Sequence, residues 1–356
     1  MLGRIYAGEL KKIVRPKAMI VLTVVLAVFL FVYAIVYNFI GNFSQIVVSS
    51  GMLDQEMNQE TEEDGSQGLT AENVDYVIHA YEQQLEGLKK EYKGKFGYRY
   101  YASIFSLKAQ LKAVEYIKAN NLYDAKILGF NYSLNALMSE TTADGFAQDY
   151  MSVVASVIAI YAVVLGAGLL ADEYRNGTIK LLLTRPITKN QLITAKLLAA
   201  LTVCGAFMGV FSLIGYIYGL IAFKSVSTES IYLVFNASSV VKSSVGAYMF
   251  GEFVMQLVRI ATMMMIAYFL GTLARKKTTG IIVTLLIQLG IVSSILGLLP
   301  IQIGLLVPNL SLMSYFDASA SVPTYGNFFI SLAVDLVYIA AVTFGLYYSV
   351  NKRDVI

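Results

Sequence analysis

Residues 171–196 read ADEYRNGTIKLLLTRPITKNQLITAK and connect the apolar runs Ser152–Leu170 and Leu197–Phe223. The connection is densely positive, because five basic residues stand in it against only Asp172 and Glu173. Short basic loops between membrane spans stay on the cytoplasmic side of the bilayer. The stretch therefore predicts that one span ends here, that the next begins, and that the loop between them faces the cytoplasm.

A strip of apolar residues interrupts the charge of this loop. Ile179 and Leu181–Leu183 are apolar. Gly177 precedes the strip and Pro186 ends it. A short helix that lies at the membrane surface and exposes leucines fits this pattern. Spacing leaves two interpretations open: the helix anchors the loop in lipid without any partner, or it docks on another protein.

The order of residues across the loop resembles the permease subunits of the ABC-2 transporter family. The resemblance lies in a Glu that ends a span, a Gly-Thr turn, a leucine strip, an Arg-Pro turn and a Lys that opens the next span. Here these residues are Glu173, Gly177, Thr178, Leu181, Leu182, Leu183, Arg185, Pro186 and Lys196. In that family the loop carries the coupling helix, so the resemblance implies that the loop docks on a separate ATPase subunit.

Composition places the chain in a membrane. Hydrophobic residues make up 57% of the 356 residues and charged residues 14%. A soluble globular domain has roughly 25% charged residues. The single cysteine, Cys204, rules out an intrachain disulfide. The predicted fold class is an all-α polytopic membrane protein with six transmembrane helices.

The order of the apolar runs predicts the layout. Residues 1–17 have the spacing of an amphipathic helix and resemble the interfacial elbow helix of the family, although an ordinary basic flank is the alternative. Residues 18–40 are the predicted first span, long enough for ~30 Å of hydrocarbon. Region 150–356 holds the coupling loop 172–190 and outer re-entrant or interfacial helices at 296–317. Its five predicted spans are 150–171, 191–223, 246–274, 279–299 and 328–350.

Residues 41–149 are polar and contain no predicted span. An acidic stretch at Asp54–Asp64 is typical of a mobile segment. Apolar residues at helical spacing over 74–88 and 104–117 predict two helices, with a turn at Lys93–Gly97 between them. We expect a helical hairpin outside the membrane whose apolar stripes form its core.

The distribution of charge predicts the orientation. With both termini inside, the cytoplasmic segments hold fifteen basic and four acidic residues. The two shorter outer loops hold Lys224 and Lys242 against Glu229 and Asp317. Long translocated segments largely escape the rule. The prediction is a multi-pass plasma-membrane protein with both termini cytoplasmic and residues 41–149 extracellular.

Enzyme signatures are missing from the sequence. The Walker A pattern does not occur, and a single histidine, His79, cannot assemble a histidine–carboxylate–nucleophile set. We therefore predict no catalytic residues, no metal site and no cofactor bound by this chain. The resemblance implies that ATP and Mg bind to partner ATPase subunits, and no nucleic-acid partner is expected.

Three ionisable residues lie inside predicted spans: Glu252, Arg259 and Asp335. Charges in hydrocarbon are costly and are usually paired or functional. Glu252 and Arg259 share a helix face and lie about 10.5 Å apart along the axis. Asp335, in the last span, is a candidate partner for Arg259. An ion pair between spans is one interpretation, and a substrate or ion pathway is the other.

The resemblance implies an ATP-driven exporter. Two permease chains, either two copies of this chain or this chain with a homologue, would form a path through the lipid bilayer, and two ABC ATPase subunits would drive it. Amphipathic peptides, lipids and hydrophobic drugs suit an apolar and aromatic path. The alternatives are a membrane-embedded sensor with a ligand-binding ectodomain and an ion-coupled secondary carrier.

Overall fold

The computed structural model describes residues 2–14, 17–49, 70–91, 98–123, 127–128, 142–179, 188–223, 229–234, 239–289, 291, 312–315 and 327–352. Most of this part is helical. The helices are α1 (Leu2–Val14), α2 (Lys17–Ser49), α3 (Val74–Glu91), α4 (Tyr98–Asn120), α5 (Ala143–Arg175), α6 (Lys189–Ala222), α7 (Val245–Ala274), α8 (Lys277–Gln288) and α9 (Phe328–Lys352). The acidic stretch Asp54–Asp64 and the predicted turn Lys93–Gly97 lie outside the described residues.

Five helices in the described part of the chain are long and apolar enough to cross a membrane: α2 over Met19–Tyr37, α5, α6, α7 and α9. Crossing ~30 Å of hydrocarbon takes about 20 residues of helix. The chain is therefore an α-helical polytopic membrane protein.

The predicted span 279–299 is represented by the 12 residues of α8. At ~1.5 Å per residue these reach about 18 Å, which is too short to cross the hydrocarbon. Residues 290 and 292–300 lie outside the described residues, so a sixth span stays a prediction. Most of the predicted outer segment 296–317 also lies outside them, except for a short 3₁₀ helix at Leu312–Tyr315.

Helix α5 forms the centre of the bundle and packs against α2, α6, α7 and α8. Its side chains Phe146, Tyr150, Ile158 and Ala162 are fully buried. An apolar helix that is buried on nearly every side belongs in the middle of a bundle. The more peripheral α2 and α9 instead expose large apolar side chains, as helices that face lipid do.

Several helices extend beyond the predicted spans. Helix α5 begins at Ala143 rather than at 150, because the Thr142 side chain accepts a hydrogen bond from the backbone N–H of Gly145 and caps the first turn. Helix α2 continues to Ser49 rather than to 40. Hydropathy finds the part of a helix that lies in hydrocarbon, whereas capping decides where the helix starts.

The helices α3 and α4, which are not among the candidate spans, pack against each other. Their shared core contains Val77, Phe105 and Val114, and Tyr315 of the 3₁₀ helix packs its ring on Phe105. Lys118 of α4 donates a hydrogen bond to Asp75 of α3, which raises the pKa of the lysine. The apolar stripes seen in the sequence thus meet in this core.

The structure contains a small three-stranded sheet, which the all-α prediction did not include. Its strands are β1 (Ile127–Leu128), β2 (Glu229–Val234) and β3 (Ser239–Ser243). β2 pairs with β3 antiparallel and with β1 parallel. The β-branched residues in these strands were a usable signal for the hairpin, but the pairing with β1 spans about a hundred residues of sequence and has no local signature.

Candidate functional site

The predicted coupling loop is flanked by two well-formed helix ends. Helix α5 ends at Arg175, and Gly177 adopts φ +69°, a left-handed conformation that favours glycine. Helix α6 starts after Thr188, which forms a capping box with Gln191. Leu181, Leu182, Leu183, Arg185 and Pro186 lie outside the described residues. Glu173, Gly177 and Thr178 lie within them.

A buried lysine joins the two ends of this loop to the N-terminal helix. Lys196 of α6 is 3% exposed. Its Nζ donates to Glu9 Oε2 of α1 at 2.9 Å and to Glu173 Oε1 of α5 at 3.2 Å. Lys12 of α1 adds a second cation, 2.9 Å from Glu9 Oε1 and 3.8 Å from Glu173 Oε1. Two lysines and two glutamates from three helices thus neutralise one another.

The turn that follows α5 folds back onto the same glutamate. The Thr178 hydroxyl donates to Glu173 Oε2. Thr178 and Lys196 therefore contact different oxygens of one carboxylate. A buried charge is tolerated when it is paired and its lone pairs are satisfied. The structure thus brings three residues of the sequence motif, Glu173, Thr178 and Lys196, into one cluster.

Sequence reasoning missed the contribution of α1 to this cluster. Glu9 is 6% exposed, although it stands in a polar, basic segment whose charges would be expected to face water. Tyr6 also reaches α6, because its hydroxyl donates to Thr202 Oγ1 at 3.0 Å. A usable signal existed, since Glu9 is the only acidic residue in a basic segment of 17 residues.

A second set of contacts ties the end of α5 to the turn between α7 and α8. Asp172 lies 3.7 Å from Lys277 Nζ and 3.3 Å from Arg175 Nη2. The Arg275 guanidinium lies over the Tyr174 ring, 5.3 Å from its centroid. A cation over an aromatic face is attracted by the quadrupole of the ring.

The start of α6 is tied to the end of α9. Lys189 Nζ donates to the backbone carbonyl of Val350 at 3.1 Å. Asn351 donates to Asn190 Oδ1 at 3.0 Å, and the hydroxyls of Thr194 and Tyr347 lie 2.7 Å apart. The α6 side of the loop therefore contacts the last helix, whereas the α5 side contacts α8.

We call these contacts the loop frame: Glu9, Lys12, Asp172, Glu173, Thr178, Lys189, Asn190, Lys196 and Lys277. The loop frame connects the ends of the loop to α1, α8 and α9.

The three intramembrane charges lie in different surroundings. Glu252 is 3% exposed and accepts a hydrogen bond from Ser152 of α5 at 3.0 Å. Arg259, which is half-buried, donates to Ser156 of α5 at 3.3 Å. Asp335 of α9 is 2% exposed. Both Glu252 and Arg259 thus face α5, and a carboxylate partner for Arg259 stays a prediction.

No group of three or more His, Cys, Asp or Glu side chains among the described residues could hold a metal ion. The ionic contacts of the loop frame pair acids with lysines, which compete with any cation for the same carboxylate oxygens.

The five long apolar helices, joined through polar ends, define a multi-pass membrane protein. The sequence profile described as ABC-2 family transporter protein matches residues 4–354. The chain belongs to this family and is a permease component of an ABC transporter. No curated protein and no solved structure gives a significant match.

Proposed function

We propose that this chain is the membrane permease of an ATP-driven exporter that moves an amphipathic or hydrophobic substrate out of the cytoplasm. Two permease chains form the path, and separate ABC ATPase subunits bind ATP and Mg. The basic loop faces the cytoplasm, and the leucine strip Leu181–Leu183 docks on the ATPase. The protein resides in the plasma membrane with both termini inside.

The observation that supports this proposal is the loop frame. A loop that only anchored the chain in lipid would need no connection to the rest of the bundle. Here Lys196 and Glu173, at opposite ends of the loop, share one buried cluster with α1. Asp172 and Lys189 extend the connection to α8 and α9. Such a frame suits a loop that receives a push from a partner and passes it to several spans.

We further propose six spans, with α8 continuing to complete the fifth, and an elbow role for α1 at the membrane surface. Apolar residues extend past Gln288 to Leu299, which supports the continuation. α1 packs on α6 while Arg4, Lys11 and Lys12 stay exposed, as in an interfacial helix. Helices α3 and α4 are placed outside the cell.

The docking of the leucine strip is tested with Leu182→Ala and Arg185→Glu. A central anchor that is truncated in a packed interface commonly loses about 2 kcal/mol or more of binding, roughly a thirtyfold loss of affinity. We expect both variants to insert normally but to lose association with a co-expressed ABC ATPase, measured by co-purification, or to lose ATP-dependent substrate efflux.

A matched control is Leu182→Met. A volume-conserving apolar change is tolerated in lipid and costs little in a pocket, so it should keep the complex. If Leu182→Ala and Arg185→Glu both retain complete complex formation and transport, the strip is a membrane anchor and the proposed docking is wrong. Insertion is verified by the amount of folded protein that is recovered from membranes.

A further inference from the structure

Polar side chains of α5 and α7 face each other along one line, which we call the α5–α7 seam. The seam consists of a few polar residues in two otherwise apolar helices, and each of these residues contacts the opposite helix. The contacts are Gln148 Nε2 to Tyr248 Oη at 3.1 Å, Ser152 Oγ to Glu252 Oε1 at 3.0 Å, Gln256 Nε2 to Ser152 Oγ at 3.5 Å and Arg259 Nη2 to Ser156 Oγ at 3.3 Å.

The seam runs from one end of the two helices to their middle. The residue numbers rise along both helices, from the pair Gln148 and Tyr248 to the pair Ser156 and Arg259. The helices α5 and α7 therefore run parallel. Arg259 lies about 21 Å along α7 from Val245 at ~1.5 Å per residue. This places the guanidinium near the middle of a helix that is long enough to cross the bilayer.

The seam holds one acid and one base, since Glu252 interacts electrostatically with Arg259, and the donors that it leaves open belong to Arg259. The Glu252 carboxylate is buried and accepts from Ser152. The half-buried Arg259 has five N–H donors. Its Nη2 donates to Ser156, while its Nε is buried without a hydrogen-bond partner among the residues described. Arg259 therefore retains donors for a further acceptor.

The seam is open beside Arg259. Ser156 is exposed, and Ile160, one turn further along α5, has 47% of its surface exposed. Donors of a guanidinium that faced only lipid tails would stay unsatisfied at a high cost. Because guanidinium donors match the paired oxygens of carboxylates and phosphates, an anionic group fits this position.

We propose that the α5–α7 seam binds the anionic head of an amphipathic molecule at Arg259 and Ser156, with its apolar chain along Ile160. The seam then lines the substrate path and selects amphipathic anions, so this assignment rests on the transport function proposed above. The recognised chemistry is a phosphate or carboxylate carried by an acyl chain, either as a free amphipath or as a phospholipid headgroup.

The absence of tryptophan from the chain allows a direct test. Ile160→Trp places a single tryptophan beside the seam in the full-length protein, held in nanodiscs of zwitterionic lipid, and its emission is excited selectively over that of the tyrosines. Quenching is titrated with bromododecyl phosphate and with bromododecyltrimethylammonium, which carry the same chain and opposite charges. We expect saturable quenching by the phosphate at about tenfold lower concentration than by the ammonium.

Variants in the same background assign the effect to the guanidinium. Arg259→Gln should weaken binding of the phosphate about tenfold, whereas Arg259→Lys should keep the preference for the anion. Lys108→Gln removes the same charge from the exposed surface of α4 and should change nothing. Thermal unfolding of each variant identifies any loss of folding. The comparison of the two amphipaths uses only the Ile160→Trp protein, so it does not depend on whether the Arg259 variants fold.

Equal quenching by the two amphipaths, or wild-type affinity in folded Arg259→Gln, would overturn the assignment. Brominated phosphatidylglycerol distinguishes a phospholipid headgroup from a free amphipath as the bound anion. Stronger quenching by this lipid than by brominated phosphatidylcholine points to a phospholipid headgroup, and preferential quenching by the single-chain phosphate alone points to a free amphipath; either supports an anion site. Binding is measured without ATP or ATPase. Loss of the ATPase complex therefore refutes the proposed function, whereas loss of anion preference refutes only this inference.

Discussion

At the scale of single residues, Lys196 shows how a membrane protein buries an ammonium group. Its side chain is only 4% exposed, and burial removes nearly all of its hydration. The carboxylates of Glu9 and Glu173 replace that water with charge-assisted hydrogen bonds. Such a cluster specifies an arrangement more than it adds stability, because the cost of desolvation offsets much of the attraction.

Removing the cation alone exposes that cost. Lys196→Met keeps the length and the apolar stem but leaves Glu9 and Glu173 with Lys12 as their remaining lysine partner in the cluster. We expect a destabilisation of about 3 kcal/mol, because a buried charge that loses its partner is strongly unfavourable. Unfolding of the purified protein in mild detergent, followed by circular dichroism against denaturant, measures the loss.

Lys90→Met provides the matched control, since Lys90 and Glu86 form an exposed pair at 4.0 Å with side chains 82% and 72% exposed. Exposed pairs contribute little, so the change should stay within about 0.5 kcal/mol. Adding Glu9→Gln to Lys196→Met should restore part of the stability. Equal stability of Lys196→Met and Lys90→Met would show that the cluster is not buried in the folded protein.

At the scale of elements, α5, α7 and α8 meet through small residues. A Cβ atom on Gly271 of α7 would lie 2.4 Å from the backbone oxygen of Ala167 in α5. A Cβ atom on Gly280 of α8 would lie 2.9 Å from the backbone nitrogen of Gly271. Backbones approach closely at such positions, as they do in packed membrane helices. The three helices are therefore held in close contact at these glycines.

This contact makes a specific prediction for glycine substitutions. Gly271→Ala should destabilise the protein by about 1–3 kcal/mol, because the new methyl group forces two helix backbones apart. Gly246→Ala lies in the same helix and meets open space. It should be neutral or stabilising by up to about 1 kcal/mol, the gain in helix propensity.

Unfolding in detergent separates the two variants. Both variants replace a glycine of α7 with alanine, so a difference in their stability reports the difference in packing at the two positions. A Gly271→Ala protein with the stability of Gly246→Ala would mean that α5 and α7 are not in close contact.

At the scale of the whole molecule, the contacts of the loop frame gather on one end of the bundle. α1 joins at Glu9, α8 joins at Lys277, and α9 joins at Val350. Helices α3 and α4 pack instead with Val240 and Phe328, which lie next to the opposite ends of α7 and α9. The bundle thus separates a loop end from a hairpin end.

The orientation is tested with single cysteines in a Cys204→Ala background. Lys90→Cys on α3 and Arg175→Cys at the end of α5 are both well exposed positions. The positive-inside rule predicts that an impermeant maleimide labels the first on intact cells and the second only after lysis. Labelling is read by gel shift. The reverse pattern would invert the topology and with it the proposed direction of transport.

Much of the architecture follows from local patterns in the sequence. Long apolar runs must form helices in lipid, because no other structure satisfies their backbone there, so composition alone placed α2, α5, α6, α7 and α9 in the bilayer. The permease family was readable from the loop motif, which Glu173 begins and Lys196 ends. Periodic apolar positions located α3 and α4. These features depend on residues that are close together in the sequence, and the spacing of apolar residues reveals them directly.

The tertiary structure alone decided which distant residues meet. Glu9 is conspicuous as the single acid of a basic segment, but the sequence does not identify Lys196, whose Nζ lies 2.9 Å away, as its partner. Ser152 and Ser156 carry no signal that they would face Glu252 and Arg259 across the α5–α7 seam. Burial next to a particular partner turns an ordinary charge into a specific contact, and it depends on how helices pack rather than on their composition. The loop could therefore be found from the sequence, whereas the loop frame that connects it to the bundle could not.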